Sequence, residues 1–475
     1  MAYTTIDNPE LYFQAKLYTG SGANQSITLD GSEDMQPDLV WIKDRTNTNN
    51  HVLTDSVRGV EKVLLSNANN LEDTYTDGLV AFTSDGFNLG DDDDGQMNVS
   101  GNACVSWNWA GGGTAPAITY VVKVVSDSGN KYRFDDFGTS AVTLDLQEGG
   151  TYTFDQSDSS NSGHPLRFST TSNGTHGGGS EYTTGVTVTG TPGNAGAKTV
   201  ITVAASAPTL YYYCTQHSAM GGQANTNSTF GSSNFNNNTQ TTVSAGTTQG
   251  FSIVTYTGNA NNSARAISHS LGETPGFMLT KNRTGTQVTG TDKWVVFNKS
   301  FVAGDYFHLD TNVAKLNSSG YWGGTLPNSS NFFVGGTSAN VHNESGINYV
   351  AYLWSEKQGF SKFGKYTGNG STDGTFVYCG FRPAYIITKC TDTARNWNIR
   401  DNKINPFNVT ESFFEANGSV AEQTDPGYSS IDILSNGFKH RGVGGDTNVS
   451  GDDYIFFAFA ESPFVNSKGV PNNAR

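Results

Sequence analysis

One sequence pattern recurs three times along this chain of 475 residues and limits its fold more than any other feature. Each copy opens on Tyr-Thr-Gly, continues to a proline that is followed six residues later by a lysine, and closes on an Asn-x-Ser-Gly turn before an aromatic strand. The lysines are Lys43, Lys281 and Lys389, and the closing asparagines are Asn98, Asn343 and Asn448. We therefore expect three copies of one fold, each with a strand buried on both faces between its proline and its lysine.

The spacing of the copies indicates an insertion. Asn343 and Asn448 lie 105 residues apart, whereas Asn98 and Asn343 lie 245 residues apart. The end of the excess segment is rich in Gly, Ser, Thr and Asn, a composition typical of flexible linkers. The sequence predicts a first β unit over 1–113, an inserted domain over 114–222, a linker over 223–250, and further β units over 251–358 and 359–475.

The composition favours an all-β fold and argues against several classes of protein. The chain holds 56 Gly and 56 aromatic residues (28 Phe, 21 Tyr and 7 Trp), which suit tight turns and pleated surfaces. We predict three β-sandwich or jelly-roll-like units and an inserted β-sandwich. The net charge of −15 disfavours nucleic acid as a partner, and no apolar run reaches the length of a membrane span. Four cysteines are too few for a disulfide scaffold, although Cys379 and Cys390 could pair.

The first unit carries the clearest family resemblance. Its segments 37–43, 55–59, 82–87 and 107–109 resemble a β-rich repeat of virion structural and fibre-like proteins from marine bacteriophages, especially those that infect cyanobacteria. The other two units follow the same pattern but lack the Asp-Ser-Val-Arg-Gly segment that contains Arg58. The resemblance implies a structural component of a phage particle, in its tail, its fibres or on its capsid.

Four potential metal ligands occur in the inserted domain. Cys214, His217 and Met220 follow one another at intervals of three residues, so a strand that ends at the cysteine and a short loop can bring their side chains around one point. A thiolate and an imidazole bind copper strongly, and a thioether is its weak axial ligand. His164, fifty residues upstream, offers the second imidazole.

This Cys-x-x-His-x-x-Met loop is similar to that of the cupredoxins, with the spacing of amicyanin rather than the longer loop of plastocyanin. The resemblance implies a Greek-key β-sandwich with a type 1 copper site at His164, Cys214, His217 and Met220. Pro165 follows the first histidine instead of preceding it, and a glycine-rich loop around His176 is foreign to the pattern. We expect His176 to lie on a mobile loop and not to be a ligand. The alternative is a cupredoxin fold kept as a spacer, with a site that is empty or binds zinc.

The sequence predicts a virion protein that acts by presenting surfaces and not by turnover. We recognise no nucleophile elbow, zinc-protease motif or glycosidase carboxylate pair, and therefore expect no enzymatic activity. The expected partners are other virion proteins, further copies of the chain in a symmetric homo-oligomer, and a host-surface glycan or protein. The N-terminus lacks the features of a signal peptide, so we expect synthesis in the host cytoplasm. Two other functions remain open, namely a copper electron-transfer protein with adhesive repeats and a carbohydrate-binding adhesin.

Overall fold

The computed structural model describes residues 3–112, 116–226, 231–261, 263–285, 292–335 and 342–473. These residues form an all-β structure of mainly antiparallel sheets, as the composition predicts. The helical segments among them are short 3₁₀ turns at Pro9–Leu11, Ser159–Asn161, Gly174–Gly177, Asn236–Asn238 and Trp322–Gly324. No helix in this part of the chain has the length and apolar character to cross a membrane. The four cysteines are buried and free, and the predicted boundary between 113 and 114 lies outside the described residues.

The first unit is a sandwich of a six-stranded and a three-stranded sheet. Its strands are β1 (Phe13–Thr19), β2 (Gln25–Thr28), β3 (Leu39–Asp44), β4 (His51–Asp55), β5 (Lys62–Leu65), β6 (Asp73–Thr74), β7 (Leu79–Thr83), β8 (Gly86–Leu89) and β9 (Ala103–Trp109). The sheet orders are β1-β9-β3-β4-β5-β6 and β2-β8-β7. Leu39 and Trp41 on β3 join one core cluster while Val40 and Ile42 join another, because successive side chains point to opposite faces. The strand is thus buried on both faces, as predicted.

The inserted residues form a separate sandwich of two five-stranded sheets. Its strands are β10 (Ala117–Ser126), β11 (Asn130–Phe134), β12 (Leu144–Asp145), β13 (Thr151–Asp155), β14 (Leu166–Ser169), β15 (Glu181–Tyr182), β16 (Val186–Thr189), β17 (Lys198–Thr202), β18 (Leu210–Cys214) and β19 (Gly222–Asn225). The orders are β11-β10-β13-β17-β16 and β12-β19-β18-β14-β15, with β10 parallel to β13 and β12 parallel to β19. Aromatic side chains from both sheets, such as Phe134, Phe154 and Tyr212, fill a core of its own.

The third unit repeats the strand order of the first, and the second unit repeats it with two added edge strands in its large sheet and, among the described residues, one strand fewer in its small sheet. The second contains β20 (Ser232–Asn234), β21 (Thr241–Gly246), β22 (Phe251–Thr257), β23 (Arg265–Ser268), β24 (Pro275–Asn282), β25 (Val295–Asn298), β26 (Asp305–His308), β27 (Leu316–Asn317), β28 (Asn331–Val334) and β29 (Asn348–Ser355). The third contains β30 (Ser361–Thr367), β31 (Phe376–Tyr378), β32 (Phe381–Cys390), β33 (Asn398–Asp401), β34 (Ser412–Glu415), β35 (Gln423–Thr424), β36 (Ile431–Leu434), β37 (Gly437–His440) and β38 (Asp453–Pro463). Their large sheets run β20-β21-β22-β29-β24-β25-β26-β27 and β30-β38-β32-β33-β34-β35, and their small sheets β23-β28 and β31-β37-β36.

The prediction of a flexible linker over 223–250 is wrong for the described residues of that segment. Strands β20 and β21 add to the edge of the second large sheet, where β21 pairs with β22 along its whole length. Ser233 accepts a hydrogen bond from Tyr120 of the inserted domain at 2.8 Å, and Phe235 packs into that domain's core. The Ser and Thr residues that read as a solvated linker serve here as strand residues, because a paired neighbour is available for their backbone.

The three units contact one another in a closed cyclic order. The tryptophan Nε1 of Trp294 donates to the Leu65 carbonyl of the first unit at 2.7 Å, and that of Trp397 donates to the His308 carbonyl of the second unit at 3.0 Å. The equivalent His51 of the first unit faces the backbone of Glu415 in the third. The three lysines of the repeated pattern make equivalent contacts between units. The Nζ of Lys43 donates to the Ser419 carbonyl (3.2 Å), that of Lys281 to the Asn69 carbonyl (3.4 Å) and that of Lys389 to the Asn312 carbonyl (3.2 Å). Because the second unit contacts the first, the third the second, and the first the third, the units form a ring with approximate threefold symmetry.

Aromatic side chains fill the middle of this ring. Trp109, Trp354 and Phe459 occupy equivalent positions on β9, β29 and β38 and are all buried in one core cluster. The Trp109 ring lies 6.0 Å from that of Trp354 and 5.7 Å from that of Phe459. The large sheets therefore meet through a shared apolar core, and in the first unit the residues between the large and small sheets form a separate cluster.

A buried histidine in the second unit predicts acid sensitivity. His342 is 3% exposed, its ring lies 4.8 Å from that of Trp322, and burial together with the nearby His308 lowers its pKa to about 3. The unfolded chain takes up this proton near its ordinary pKa of about 6.5, so folding stability falls as the pH drops from about 6.5 towards about 3, by about 2 kcal/mol at about pH 5. His342→Met, the residue found at the equivalent Met97 of the first unit, should remove this loss. Urea unfolding of both proteins at about pH 7 and about pH 5 measures this loss of stability. If the variant shows the same pH dependence as the wild-type protein, His342 is not its cause.

Candidate metal centre

Two neighbouring strands place His164 and Cys214 at the same end of one sheet. Strand β14 is antiparallel to β18, with Leu166 opposite Cys214. His164 lies two residues before Leu166, and the Thr215 amide donates to the Pro165 carbonyl at 3.2 Å just beyond the paired strands. The cysteine at the end of β18 and the histidine at the entry to β14 are therefore neighbours through strand register.

The loop after Cys214 folds back so that His217 and Met220 also face this end of the domain. The Tyr132 amide on β11 donates to the Met220 carbonyl at 2.9 Å, and the Asn173 side chain accepts from the Ala219 amide at 2.7 Å. Ala219 adopts a positive φ of 59°, which turns the chain tightly before Met220. These contacts fix a short loop with an exposed His217 and a buried Met220.

The thiol and the two imidazoles converge on one point. The Cys214 Sγ lies 3.8 Å from His164 Nδ1 and 3.8 Å from His217 Nδ1. The two imidazole ring centroids are 4.6 Å apart, and one ligand atom from each of the three residues lies within 4.8 Å of the others. Each histidine thus turns the same ring nitrogen towards the sulfur.

These separations can be compared with those of a bound ion. With metal–sulfur and metal–nitrogen bonds of about 2.3 Å and about 2.0 Å, a trigonal angle of about 120° separates sulfur and nitrogen by about 3.7 Å, whereas a tetrahedral angle gives about 3.5 Å. The two observed distances of 3.8 Å are near both values, so one ion could bind the sulfur and both nitrogens. The donor set, one soft thiolate and two imidazoles, is of the kind that accepts copper or zinc.

Met220, the fourth predicted ligand, is buried near His217. It is 1% exposed, packs in the same core cluster as Cys214, and lines a cavity of about 490 Å³ together with His217 and His176. A thioether in this position is a weak donor that suits copper better than zinc.

Buried polar groups hold the first histidine in place. The Tyr132 hydroxyl and the Gln156 amide nitrogen both donate to the His164 carbonyl, at 2.9 Å and 2.8 Å. The His164 amide donates in turn to the Asn161 carbonyl at 2.8 Å. Partial burial, with a contribution from the His217 imidazole, lowers the pKa of His164, so the ring is neutral and able to donate a lone pair at neutral pH. Burial and the nearby Cys214 raise the pKa of Tyr132.

The supporting residues were not predicted from the sequence, and His176 differs from the expectation of a mobile loop. Tyr132 and Gln156 carry no local motif, and only their contacts in the fold identify them. His176 lies on a 3₁₀ turn, and its Nε2 donates to the Cys214 carbonyl at 3.0 Å. It is outside the group of three converging ligand atoms, yet it is fixed against the backbone of the cysteine and not on a free loop.

A family model matches most of the chain. The family model described as "Domain of unknown function (DUF7483)" matches residues 8–135 and 223–463. The searches of curated proteins and of solved structures found no match. The unmatched segment between the two ranges contains all four predicted ligands, so the candidate centre lies outside the part of the chain that the family model describes.

Proposed function

The chain belongs to the DUF7483 family, and we propose that this member carries a single copper ion in its inserted domain, bound by His164, Cys214, His217 and Met220. The observation that carries the proposal is the pair of equal distances, 3.8 Å each, from one cysteine sulfur to two imidazole nitrogens. The three β units act as the scaffold that presents this domain.

Copper is favoured over zinc by the donor set, which joins one thiolate and two imidazoles with a nearby thioether. Met220 adds a thioether, which is the usual weak axial donor beside a His₂Cys set. Bound copper would supply one-electron redox chemistry. His217 is exposed, so one ligand of the copper would lie at the protein surface, where a redox partner could approach.

The protein's own groups have separate tasks in this proposal. Cys214 must lose its thiol proton on binding, and the two imidazoles must be neutral. Tyr132 and Gln156 orient His164 through its carbonyl, and His176 holds the carbonyl of Cys214. Such outer contacts fix ligand orientation before the metal arrives, which lowers the cost of assembling the site.

Titration of the full chain with Cu(II) and with Zn(II) tests the proposal. We expect one equivalent of Cu(II) to produce an intense visible thiolate-to-copper absorption band, and Zn(II) to compete without any band because its d shell is filled. A chain that binds Zn(II) but develops no band with Cu(II) would show a structural zinc site instead. A chain that binds neither metal would make the inserted domain a spacer.

We also propose that the protein is a component of a bacteriophage particle. The resemblance of its repeats supports this, as does the closed ring of units, which gives a rigid support for a presented domain. Mass spectrometry of gradient-purified virions should find its peptides at the level of a structural protein. Peptides confined to the cytosol of infected cells would favour the copper electron-transfer alternative, and a positive glycan screen would favour the adhesin.

A further inference from the structure

The third unit has a polar interior at positions where the first two units are largely apolar. These positions lie between the large and small sheets and can be matched by strand register. Given in the order first, second and third unit, the equivalent residues are Val52, Val295 and Asn398; Thr54, Phe297 and Arg400; and Leu89, Val334 and His440. Because the first two units adopt the fold without a charge here, packing does not require Arg400 or His440.

The guanidinium of Arg400 is buried without a paired carboxylate. Arg400 is 3% exposed, and its two terminal nitrogens donate to the Asn398 side-chain oxygen and to the Ser429 carbonyl. The central guanidinium carbon, Cζ, of Arg400 lies 5.2 Å from the centroid of the Phe413 ring. The carboxylates whose charges reach it, Asp446 and Asp425, form no ion pair with it among the described residues. A guanidinium stays charged inside a protein, so this charge needs a partner.

His440 faces the same space from the small sheet. It is 1% exposed, and its ring stacks on that of Tyr366 at 4.9 Å. Burial and the charge of Arg400 lower its pKa to about 3, so the imidazole is neutral and carries one N–H donor. The titratable and charged groups around the pair are thus Tyr366, Asp446 and Asp425.

Several donors in this space have no partner among the described residues. The Arg400 Nε, the Asn398 Nδ2 and both ring nitrogens of His440 are buried and unpartnered. The Asn398 oxygen is already used by Arg400, so its NH₂ group is the free end of that side chain. The free groups therefore include an N–H donor from each of these three residues, while the second His440 nitrogen is an acceptor, and they lie beside a guanidinium that has no ion-paired carboxylate among the described residues.

We propose that the third unit encloses a small monovalent anion of the chloride class, held by N–H groups of Arg400, Asn398 and His440. One negative charge balances one guanidinium, and the aromatic faces of Tyr366 and Phe413 beside it favour a weakly hydrated ion. A phosphate would bring more charge and more acceptor oxygens than these donors satisfy. A water molecule would accept some of the hydrogen bonds but would leave the guanidinium without an ion-pair partner. This site is independent of the proposed copper centre, which lies in the inserted domain.

Bromide diffraction tests the proposal directly. Crystals of the full chain grown in sodium bromide should show an anomalous bromine peak within hydrogen-bond distance of Arg400 Nε and His440. The double variant Arg400→Thr/His440→Leu, which carries the residues of the first unit, should lose the peak. Ordered water alone at this place in the wild-type protein, or no density at all, would overturn the proposal.

Thermal unfolding gives a second measurement in solution. At equal ionic strength, exchange of gluconate for chloride should raise the Tm of the wild-type chain by roughly 2–4 °C, because an anion that binds only the folded state stabilises it. The same exchange should leave the Tm of the double variant unchanged. An equal rise in both proteins would reflect general salt effects and would contradict a specific site. If the double variant does not fold, the bromide experiment on the wild-type protein decides alone.

Discussion

Replacement of Cys214 by serine is expected to abolish the visible absorption band of the Cu(II)-loaded chain completely. The band requires charge transfer from a soft, electron-rich thiolate, and a serine hydroxyl can neither ionise at neutral pH nor supply such an orbital. Cys214 is buried at the end of β18 and is the only cysteine in the converging group among the described residues. Titration of Cys214→Ser with Cu(II), followed by visible spectroscopy, measures the effect.

Two variants serve as controls for this result. Cys390→Ser should keep the full band, because Cys390 lies in the third unit, where a hydroxyl can keep the contact to Thr393. Met220→Leu should also keep the band but shift the reduction potential, since it removes only the weak axial donor. A band that persists in Cys214→Ser would assign the copper to other ligands and would end the proposal of a cysteine-bound centre.

Truncation of Trp354 to alanine is expected to lower the free energy of unfolding by about 3–5 kcal/mol, the usual range for a large aromatic residue deleted from a core. Trp354 lies in the middle of the ring of units, where its indole stacks on Phe251 at 4.8 Å and contacts Trp109 and Phe457 at 6.0 Å and 5.2 Å. Its removal opens a cavity that the second unit shares with both others. Urea unfolding followed by tryptophan fluorescence and by far-UV circular dichroism measures the loss.

Matched variants separate the loss of packing from other effects of substitution. Trp354→Phe should cost much less, because the third unit already has Phe459 at the equivalent position. Phe407→Ala should cost little, since Phe407 is 78% exposed. A loss of stability in Trp354→Ala no greater than that in Phe407→Ala would show that the aromatic centre does not hold the units together.

Local spacing in the sequence predicts those features that depend on neighbouring residues. The proline-to-lysine runs identify the central strands β3, β24 and β32, because apolarity on successive residues requires burial on both faces. The spacing from Cys214 to His217 likewise brings two ligand types together, because one short loop can place both side chains at the end of a strand.

Features that depend on distant residues were not predicted. The contact of Trp294 with Leu65 joins residues 229 positions apart, and neither residue carries a local motif for it. The strands β20 and β21 read as linker because their Ser and Thr residues become strand residues only beside β22. Arg400 is buried although no local motif in the sequence marks it, and only the fold places it in the interior.

The closed ring of units also constrains how the chain is made. The first unit cannot form all of its contacts until the third unit has been made. One of these contacts is the hydrogen bond from Lys43 to the Ser419 carbonyl, two residues that are 376 positions apart. A ribosome that adds roughly 5–20 residues per second needs on the order of 6–23 s to synthesise residues 359–475. During that interval the first unit is exposed on the face that will later meet the third, so the nascent chain must be protected there from premature association with other copies.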